Sequence, residues 1–468
     1  MKKNKLTLKD TLEEVITKEE ISQIARETKF VQRKSGVIKP LDFLFTLMFR
    51  VSATVPASLD LLTLFLNTTV SKVGLHKRFN KYSVIFMRTI LQQVVLKRIA
   101  KKIKLTINGL DEFTNLFIID SSSWDISEEF KLIFPGCGGS ASDANCKLQF
   151  CYDYLTGEIY IYDEKPGKNP DQGFSINILK LINPGSLFMF DLGYWKFETF
   201  YGINAKGGHF LSRLNNTVNL YIKKGDEYIK VEIENILDCG EHDNISVDEI
   251  YLKKGSQYLK VRLVGFKLPE EESNKNRMEL CRRAKNNKKT DKPKRKSLIL
   301  AGFSVYITNA PEEIIADEMV RSYYRLRWNV ELIFKSFKSV LQIHESNVIS
   351  NKYRLLCELY ARLILIALVH RIFYIIDSYM FNKDKKELSL DKFWKYIDAE
   401  KGELCNAILK SWTCFTFYIE KKIDEIMIKC EKCHQKKRKT TRELILHQIG
   451  DDIPIKIEPY EFQKKLLG

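Results

Sequence analysis

At 468 residues the chain can bury large cores and is expected to form two to four domains. A formal charge of +17 and a pI near 9.2, with basic residues spread along the chain and one dense cluster, point to a polyanionic partner. No run approaches the roughly 20 apolar residues of a membrane span, the first fifteen residues lack the apolar stretch of a secretion signal, and ten irregularly spaced cysteines read as reduced cytosolic thiols, so membrane and disulfide-stapled classes are set aside and a cytoplasmic protein is expected.

Residues 1 to about 110 read as helical, with apolar spacing over Ser58 to Leu66, Thr69 to Asn80 and Tyr82 to Leu105. Within TTVSKVGLHKRFN, Lys72, His76, Lys77 and Arg78 sit on a short helix that follows another. That is either a helix-turn-helix presenting Lys72, Lys77 and Arg78 to DNA or a bundle with a wet basic face. From Asn115 the pattern changes. NLFIID reads as a strand buried on both sides, ending at Asp120 before three serines. KLQFCYDY and EIYIYD alternate around Thr156 and Gly157 as a hairpin. A short helical piece near Ser175 to Ile182 precedes SLFMFD, a second buried strand, which ends at Asp191 and leads into the helix LGYWKFETF. Asp suits turns and helix starts, but chemistry also collects at strand ends in mixed sheets.

From Gly207 to Ser297 the chain again reads as strands, ending in a basic run from Asn274 to Lys296 that includes Arg282 and Arg283. That run reads as a disordered loop or a DNA-gripping arm. LILAGFSVYITNA is read as a last strand, turning at Asn309 and Pro311 into a helix over Arg321 to Gln342. On that helix Tyr324, Arg327, Glu331 and Lys338 fall within an arc of roughly 60°, while Leu326, Val330, Ile333, Phe337 and Leu341 form the core face. A solvated face with spaced ion pairs is the plain alternative for the stripe. Further helices are expected over 352–380, 389–400, 402–411 and 440–448, the apolar Leu363 to Val369 being a buried helix. Cys430, Cys433 and His434 spell C-x-x-C-H, which reads as chance spacing, with weak metal binding the alternative. No internal repeat and no Gly-rich phosphate loop are read.

Asp120 and Asp191 at strand ends and Glu331 on a helix beside the sheet would repel one another without cations. Hard oxygen ligands suit Mg²⁺ or Mn²⁺, and two such ions about 4 Å apart clamp a phosphodiester during in-line displacement. Tyr324, Arg327 and Lys338 would grip phosphates.

The spacing Y-x₂-R-x₃-E-x₆-K, as Tyr324, Arg327, Glu331 and Lys338, resembles the signature of DDE transposases of the insertion-sequence-4 family. The surrounding YRLRWNVELIFKSFKS, the D-x-G-Y piece at Asp191 to Tyr194 and IIDSS at Asp120 are similar to that family too. The resemblance covers roughly residues 110 to 345. It implies an α/β, ribonuclease-H-like mixed sheet core with a β-rich insertion, flanked by helical N- and C-terminal regions. The corresponding division is a helical DNA-end-binding and dimer region over 1–110, core over 111–205, insertion with basic arm over 206–298, core with the Glu helix over 299–345, and a helical region over 346–468. The resemblance also implies Asp120, Asp191 and Glu331 as catalytic and metal-binding acids, cut-and-paste movement of DNA by a homodimer on terminal inverted repeats, and action on target DNA in a bacterial cytoplasm at the nucleoid. Asp171 and Asp125 are rival acids that close no buried strand. An aromatic that stacks a flipped base is expected, with Trp124, Trp195 and Trp328 as candidates. The competing functions are a DNA-binding repressor derived from a transposase and a metal-dependent nuclease without strand transfer.

Overall fold

The computed structural model describes residues 17–33, 37–50, 58–66, 68–95, 110, 112–138, 142–238, 244–286, 292–339, 348, 350–433, 440–446 and 455–456. The N-terminal helices are α1 (Lys18–Glu27), α2 (Pro40–Arg50), α3 (Leu59–Leu64), α4 (Lys72–Arg78) and α5 (Lys81–Thr89). Thr17 starts α1 with a reciprocal cap: its hydroxyl accepts from the Glu20 amide, and the Glu20 carboxylate accepts from the Thr17 amide. The helix expected from Tyr82 passes after Thr89 into a π-helical stretch over Ile90–Val95, and 96–105 lie outside the described residues.

The strands are β1 (Leu116–Asp125), β2 (Asn145–Asp153), β3 (Ile159–Pro166), β4 (Leu187–Phe190), β5 (His209–Arg213), β6 (Leu220–Lys224), β7 (Glu227–Val231), β8 (Asn244–Lys254), β9 (Gln257–Lys267), β10 (Phe303–Thr308) and β11 (Ile455–Lys456). The remaining helices are α6 (Phe197–Ala205), α7 (Ile233–Asp238), α8 (Glu270–Asn286), α9 (Arg295–Leu300), α10 (Val320–Arg325), α11 (Trp328–Ser339), α12 (Lys352–Asp384), α13 (Leu390–Ala399), α14 (Lys401–Lys410), α15 (Trp412–Lys429) and α16 (Thr441–Leu446). Two compact units divide the chain: Met1–Thr106 with Ser121–Asn169 and Val330–Gln435, and Ile107–Asp120 with Pro170–Asn329 and Lys436–Gly468.

In the second unit β1, β4 and β5 run parallel, and β10 continues the sheet antiparallel between β5 and β9. The order then runs β8, β6, β7, with β11 beside β8. β1 crosses the division, and its far part is followed in the sheet by the antiparallel β2–β3 hairpin. A mixed sheet with β1, β4 and β5 parallel bears out the expected α/β, ribonuclease-H-like class. The hairpin tip needs glycine: Gly157 has φ +73°, and a Cβ there would lie 2.2 Å from the Tyr374 ring.

Several elements differ from their sequence reading. β1 does not end at Asp120 but continues to Asp125; what ends there is its partner, since β4 stops at Phe190. LILAGFSVYITNA is not one strand. Pro293 precedes a helix, α9, that takes Leu298 to Leu300 and closes where the Gly302 amide donates to the Ile299 carbonyl, before β10 begins. The first part of the basic run is a helix rather than a loop. α8 starts on Glu270, Glu271 and Glu272 and ends with Arg283 and Lys285, matching the helix dipole at both ends; 287–291 lie outside the described residues. The helix expected over Arg321 to Gln342 is broken between α10 and α11. The Leu326, Arg327 and Asn329 amides bond three residues back, and the Asn329 side chain donates to the Leu326 carbonyl at 2.7 Å. Leu326, Val330 and Ile333 are buried as expected; 340–347 lie outside the described residues. α15 has no counterpart in the reading, because its Thr, Phe, Tyr and Ile residues favour a helix weakly. Cys430 is buried at its end, Cys433 is exposed and accepts from Lys392 Nζ, and His434 lies outside the described residues.

α12 is the core helix of the first unit. It is long and apolar enough to cross a membrane, contrary to the expectation from consecutive apolar residues, yet 94% of its apolar window is buried inside the protein. A helix apolar on every side belongs in such a core, and buried charges find partners there, Arg354 Nε donating to Glu358 at 2.7 Å and Arg371 Nη1 to the Thr156 carbonyl at 3.1 Å.

His370 on this helix is buried with no partner at either ring nitrogen among the described residues. Tyr152 meets it edge-on at 5.4 Å and Phe373 stacks at 5.8 Å. Burial, aided by neighbouring Arg371, lowers its pKa to about 4 from an ordinary 6.5. Below pH 6.5 the unfolded chain takes up a proton that the folded chain refuses, so stability falls as pH drops from 6.5 towards 4. His370→Phe is expected to remove up to about 3 kcal/mol of that loss, read as a flatter dependence of denaturation midpoint on pH. An unchanged dependence would count against the buried neutral imidazole.

Candidate active site

The parallel register of β1 and β4 pairs Ile119 with Phe190, so the next residues, Asp120 within β1 and Asp191 just past the end of β4, stand at one level. All four residues of β4 are buried, which fixes that level by packing. Asp191 then starts a 3₁₀ turn over Leu192–Tyr194. Its carbonyl accepts from the Tyr194 amide, while its carboxylate takes no part in the cap.

Two residues of the α10 segment close on this pair within the second unit. Arg327, in the turn after α10, places Nη1 3.2 Å from Asp120 Oδ2, with the two side chains 13% and 17% exposed. Its guanidinium lies 5.8 Å from the centre of the Tyr324 ring. The Tyr324 hydroxyl is buried and donates to the Phe190 carbonyl at 3.0 Å, one residue before Asp191. Burial pushes its pKa up, with Arg327 opposing and Asp191 adding to the rise, so the hydroxyl stays a donor. The geometry thus gives Tyr324 a bond to the strand end that carries Asp191.

The loop leading into α10 is itself tied down. Arg262 on β9 is buried, pairs with buried Asp317 through Nη1, and donates through Nη2 to the carbonyls of Ala310 and Ile315. Neither Arg262 nor Asp317 was singled out in the sequence. The available signal was a charged residue inside the apolar run YLKVRLVGF, which a packed strand tolerates only with a partner.

Glu331 and Lys338 lie on α11, in the part of the chain belonging to the first unit. Glu331 is half-buried in the first turn. Lys338 Nζ donates to the Ser123 carbonyl of β1 at 2.9 Å, and burial lowers its pKa. Of the tryptophans, Trp124 is buried, Trp195 is half-buried and meets Phe200 edge-on, and Trp328 is 58% exposed. Asp125 accepts from Asn145 Nδ2. Asp171 starts a separate 3₁₀ turn, and a Cβ on Gly193 would lie 3.4 Å from its carboxylate.

Four of the remaining basic candidates are already engaged, Lys72, Arg78, Arg282 and Arg283. Lys72 pairs with Asp60 at 2.8 Å on the surface and Lys77 is exposed. The Arg78 guanidinium sits 3.8 Å from the centre of the Phe30 ring, and burial lowers its pKa. Arg282 and Arg283 are exposed, and both donate to Glu279. Among the described residues no group of three or more His, Cys, Asp or Glu side chains is gathered closely enough to hold a metal ion.

Residues 111–368 match the family model described as the transposase DDE domain. The chain belongs to the DDE transposase family. The transposase is 32% identical over 402 residues to the transposase for insertion sequence element IS231F of Bacillus thuringiensis subsp. israelensis, spanning 81% of this chain and 82% of that one. It is 30% identical over 481 residues to the transposase for IS1151 of Clostridium perfringens, spanning 98% and 99%. Among solved structures it is similar to the piggyBac transposase in a synaptic complex with hairpin DNA, at 12% identity and a TM-score of 0.41, covering 91% of this chain and 84% of that one. The transposase is therefore a DNA-cleaving and DNA-transferring enzyme of a bacterial insertion sequence, and its family depends on a divalent metal. Asp120 and Asp191 contribute two hard carboxylates of the kind such an ion takes, at one level of adjacent strands, and capping does not occupy Asp191.

Proposed function

We propose that Asp120, Asp191 and Glu331 are the catalytic acids of the transposase and that they hold Mg²⁺, with Mn²⁺ as substitute. The observation that carries this reading is the shared level of Asp120 and Asp191 on β1 and β4, with Arg327 beside the first and Tyr324 bonded to the strand end before the second. Bound there, the metal supplies Lewis-acid activation of the attacking and leaving oxygens of a phosphodiester. Arg327 balances the charge of the acids and grips phosphate, Tyr324 fixes the Asp191 strand end, and Lys338 adds a phosphate contact from α11. Lys72, Lys77, Arg78, Arg282 and Arg283 contribute to DNA binding. Arg78 does so least directly, since its guanidinium lies on Phe30. Residues 1–110 serve end binding and pairing, 111–205 and 299–345 the catalytic core, 206–298 the insertion, and 346–468 a helical support. The substrates are the terminal inverted repeats and target DNA, held by a homodimer with paired ends in the bacterial cytoplasm.

The test is to incubate the purified full chain with the inverted-repeat DNA flanking its gene, a target plasmid and Mg²⁺. Cleavage at the repeat ends and joined products are expected, with binding that weakens steeply as salt rises. Cleavage without joining would make it a nuclease, and binding without cleavage a repressor.

A further inference from the structure

The β-rich segment contains a repeat that the sequence reading passed over. Residues 221–233, YIKKGDEYIKVEI, recur thirty positions later as 251–263, YLKKGSQYLKVRL, with Tyr, Lys, Lys, Gly, Tyr, Lys and Val identical in place. Each copy is one hairpin, β6–β7 and β8–β9, turning at a glycine of positive φ, Gly225 at +59° and Gly255 at +57°. β6 and β8 pair antiparallel with Tyr221 opposite Tyr251, which sets the two copies side by side.

The period of two in these strands sends Leu220, Ile222, Leu252 and Leu259 inward. The opposite parity carries Tyr-x-Lys four times. In the register Tyr221 faces Lys230, Lys223 faces Tyr228, Tyr251 faces Lys260 and Lys253 faces Tyr258. The four tyrosines are half-buried and the four lysines exposed. The rings lie on one another: Tyr228 and Tyr258 stack at 3.7 Å, Tyr221 meets Tyr258 edge-on, Tyr228 meets Tyr251 edge-on, and Lys253 Nζ lies 5.0 Å from the centre of the Tyr258 ring. Stacking bases would need open ring faces, but here these contacts occupy them, leaving a lattice dominated by ammonium and phenol groups. Glu232 and Glu249 hold Lys230 and Lys260 through exposed pairs, which solvent screens, so they exchange readily for phosphate. Four lysines against Glu232, Glu249 and the neighbouring Asp248 leave the face positive.

We propose that this tyrosine–lysine face is a second DNA-docking surface, binding the phosphate backbone of duplex DNA without regard to sequence. It rests on the transposase reading above and adds to it a contact outside the acidic site. Such contacts carry affinity and salt dependence rather than sequence information.

The test replaces Lys223, Lys230, Lys253 and Lys260 together with Gln in the full chain and measures binding to a random-sequence duplex across a salt series. Exposed lysines are replaced, so the circular dichroism spectrum and denaturation midpoint are expected to match the wild type. Affinity near physiological salt is expected to fall at least tenfold, and the slope of log affinity against log salt by about 3. A folded variant with unchanged affinity and slope would overturn the proposal. A loss confined to single-stranded probe would overturn the assignment to duplex. Because the readout is random duplex, failure of the wild type to process its element ends would sink the proposed function and leave this comparison intact.

Discussion

Asp120→Asn and Asp191→Asn are each expected to lower end cleavage at least about a thousandfold, close to 4 kcal/mol of transition-state stabilisation, with end-DNA affinity within a few-fold of wild type. The two carboxylates stand at one level because β1 and β4 are parallel and in register through Ile119 and Phe190. Asn keeps the shape and removes the charge, so a divalent ion loses a hard anionic donor while the packing of β4 stays as it was. Glu331→Gln is expected to behave alike. The affinity arm separates chemistry from binding: phosphate contacts come from basic groups, so loss of an acid leaves attraction unchanged or slightly stronger. Single-turnover cleavage with Mg²⁺ and a gel-shift titration on the same DNA read both arms. Cleavage at the wild-type rate by any of the three variants would remove that residue from the proposed acid set.

What could be read in the sequence, and what could not, follows from the range of the interactions. The sheet was legible because NLFIID and SLFMFD are apolar on both faces, and a parallel strand covered on both sides leaves that trace. Their two aspartates were legible for the same reason, as charges closing apolar runs. The extension of β1 past Asp120 was not, because three serines read as a turn when the neighbouring strand is unknown. The break at Leu326 and Arg327 was hidden because Asn329 competes for a carbonyl by a local bond that apolar periodicity does not register. Tyr324 illustrates a different limit. Its spacing suggested a phosphate contact, but its hydroxyl finds a backbone carbonyl 134 residues away in sequence, and only the assembled sheet supplies that partner. The repeat in the insertion was present in the letters throughout. Two thirteen-residue segments look like ordinary alternating strands until their register is known, and so their likeness does not stand out in the letters alone.

Removing one side of the buried pair under the α10 loop is expected to destabilise the transposase by about 3–5 kcal/mol. Arg262 and Asp317 are 5% and 3% exposed, and Arg262 also serves the Ala310 and Ile315 carbonyls. Burial pushes the Asp317 carboxyl above its ordinary range despite Arg262 beside it, so the low-polarity surroundings outweigh the attraction on that group. The pair is therefore not a large net source of stability; the cost lies in leaving one charge buried alone. Arg262→Met strands the Asp317 carboxylate and two carbonyls, whereas Asp317→Leu strands the guanidinium. Arg262→Met combined with Asp317→Leu removes both charges and is expected to regain much of the loss, with the two carbonyls still short of a donor. The effect extends to the site, since this loop delivers Tyr324 to the Phe190 carbonyl and Arg327 to Asp120. Arg262→Met is accordingly expected to cleave slowly even at temperatures where circular dichroism shows it folded, with the double variant intermediate. Denaturant unfolding of the three variants checks the energetics. Equal stability of Arg262→Met and wild type would show that the loop does not depend on the pair.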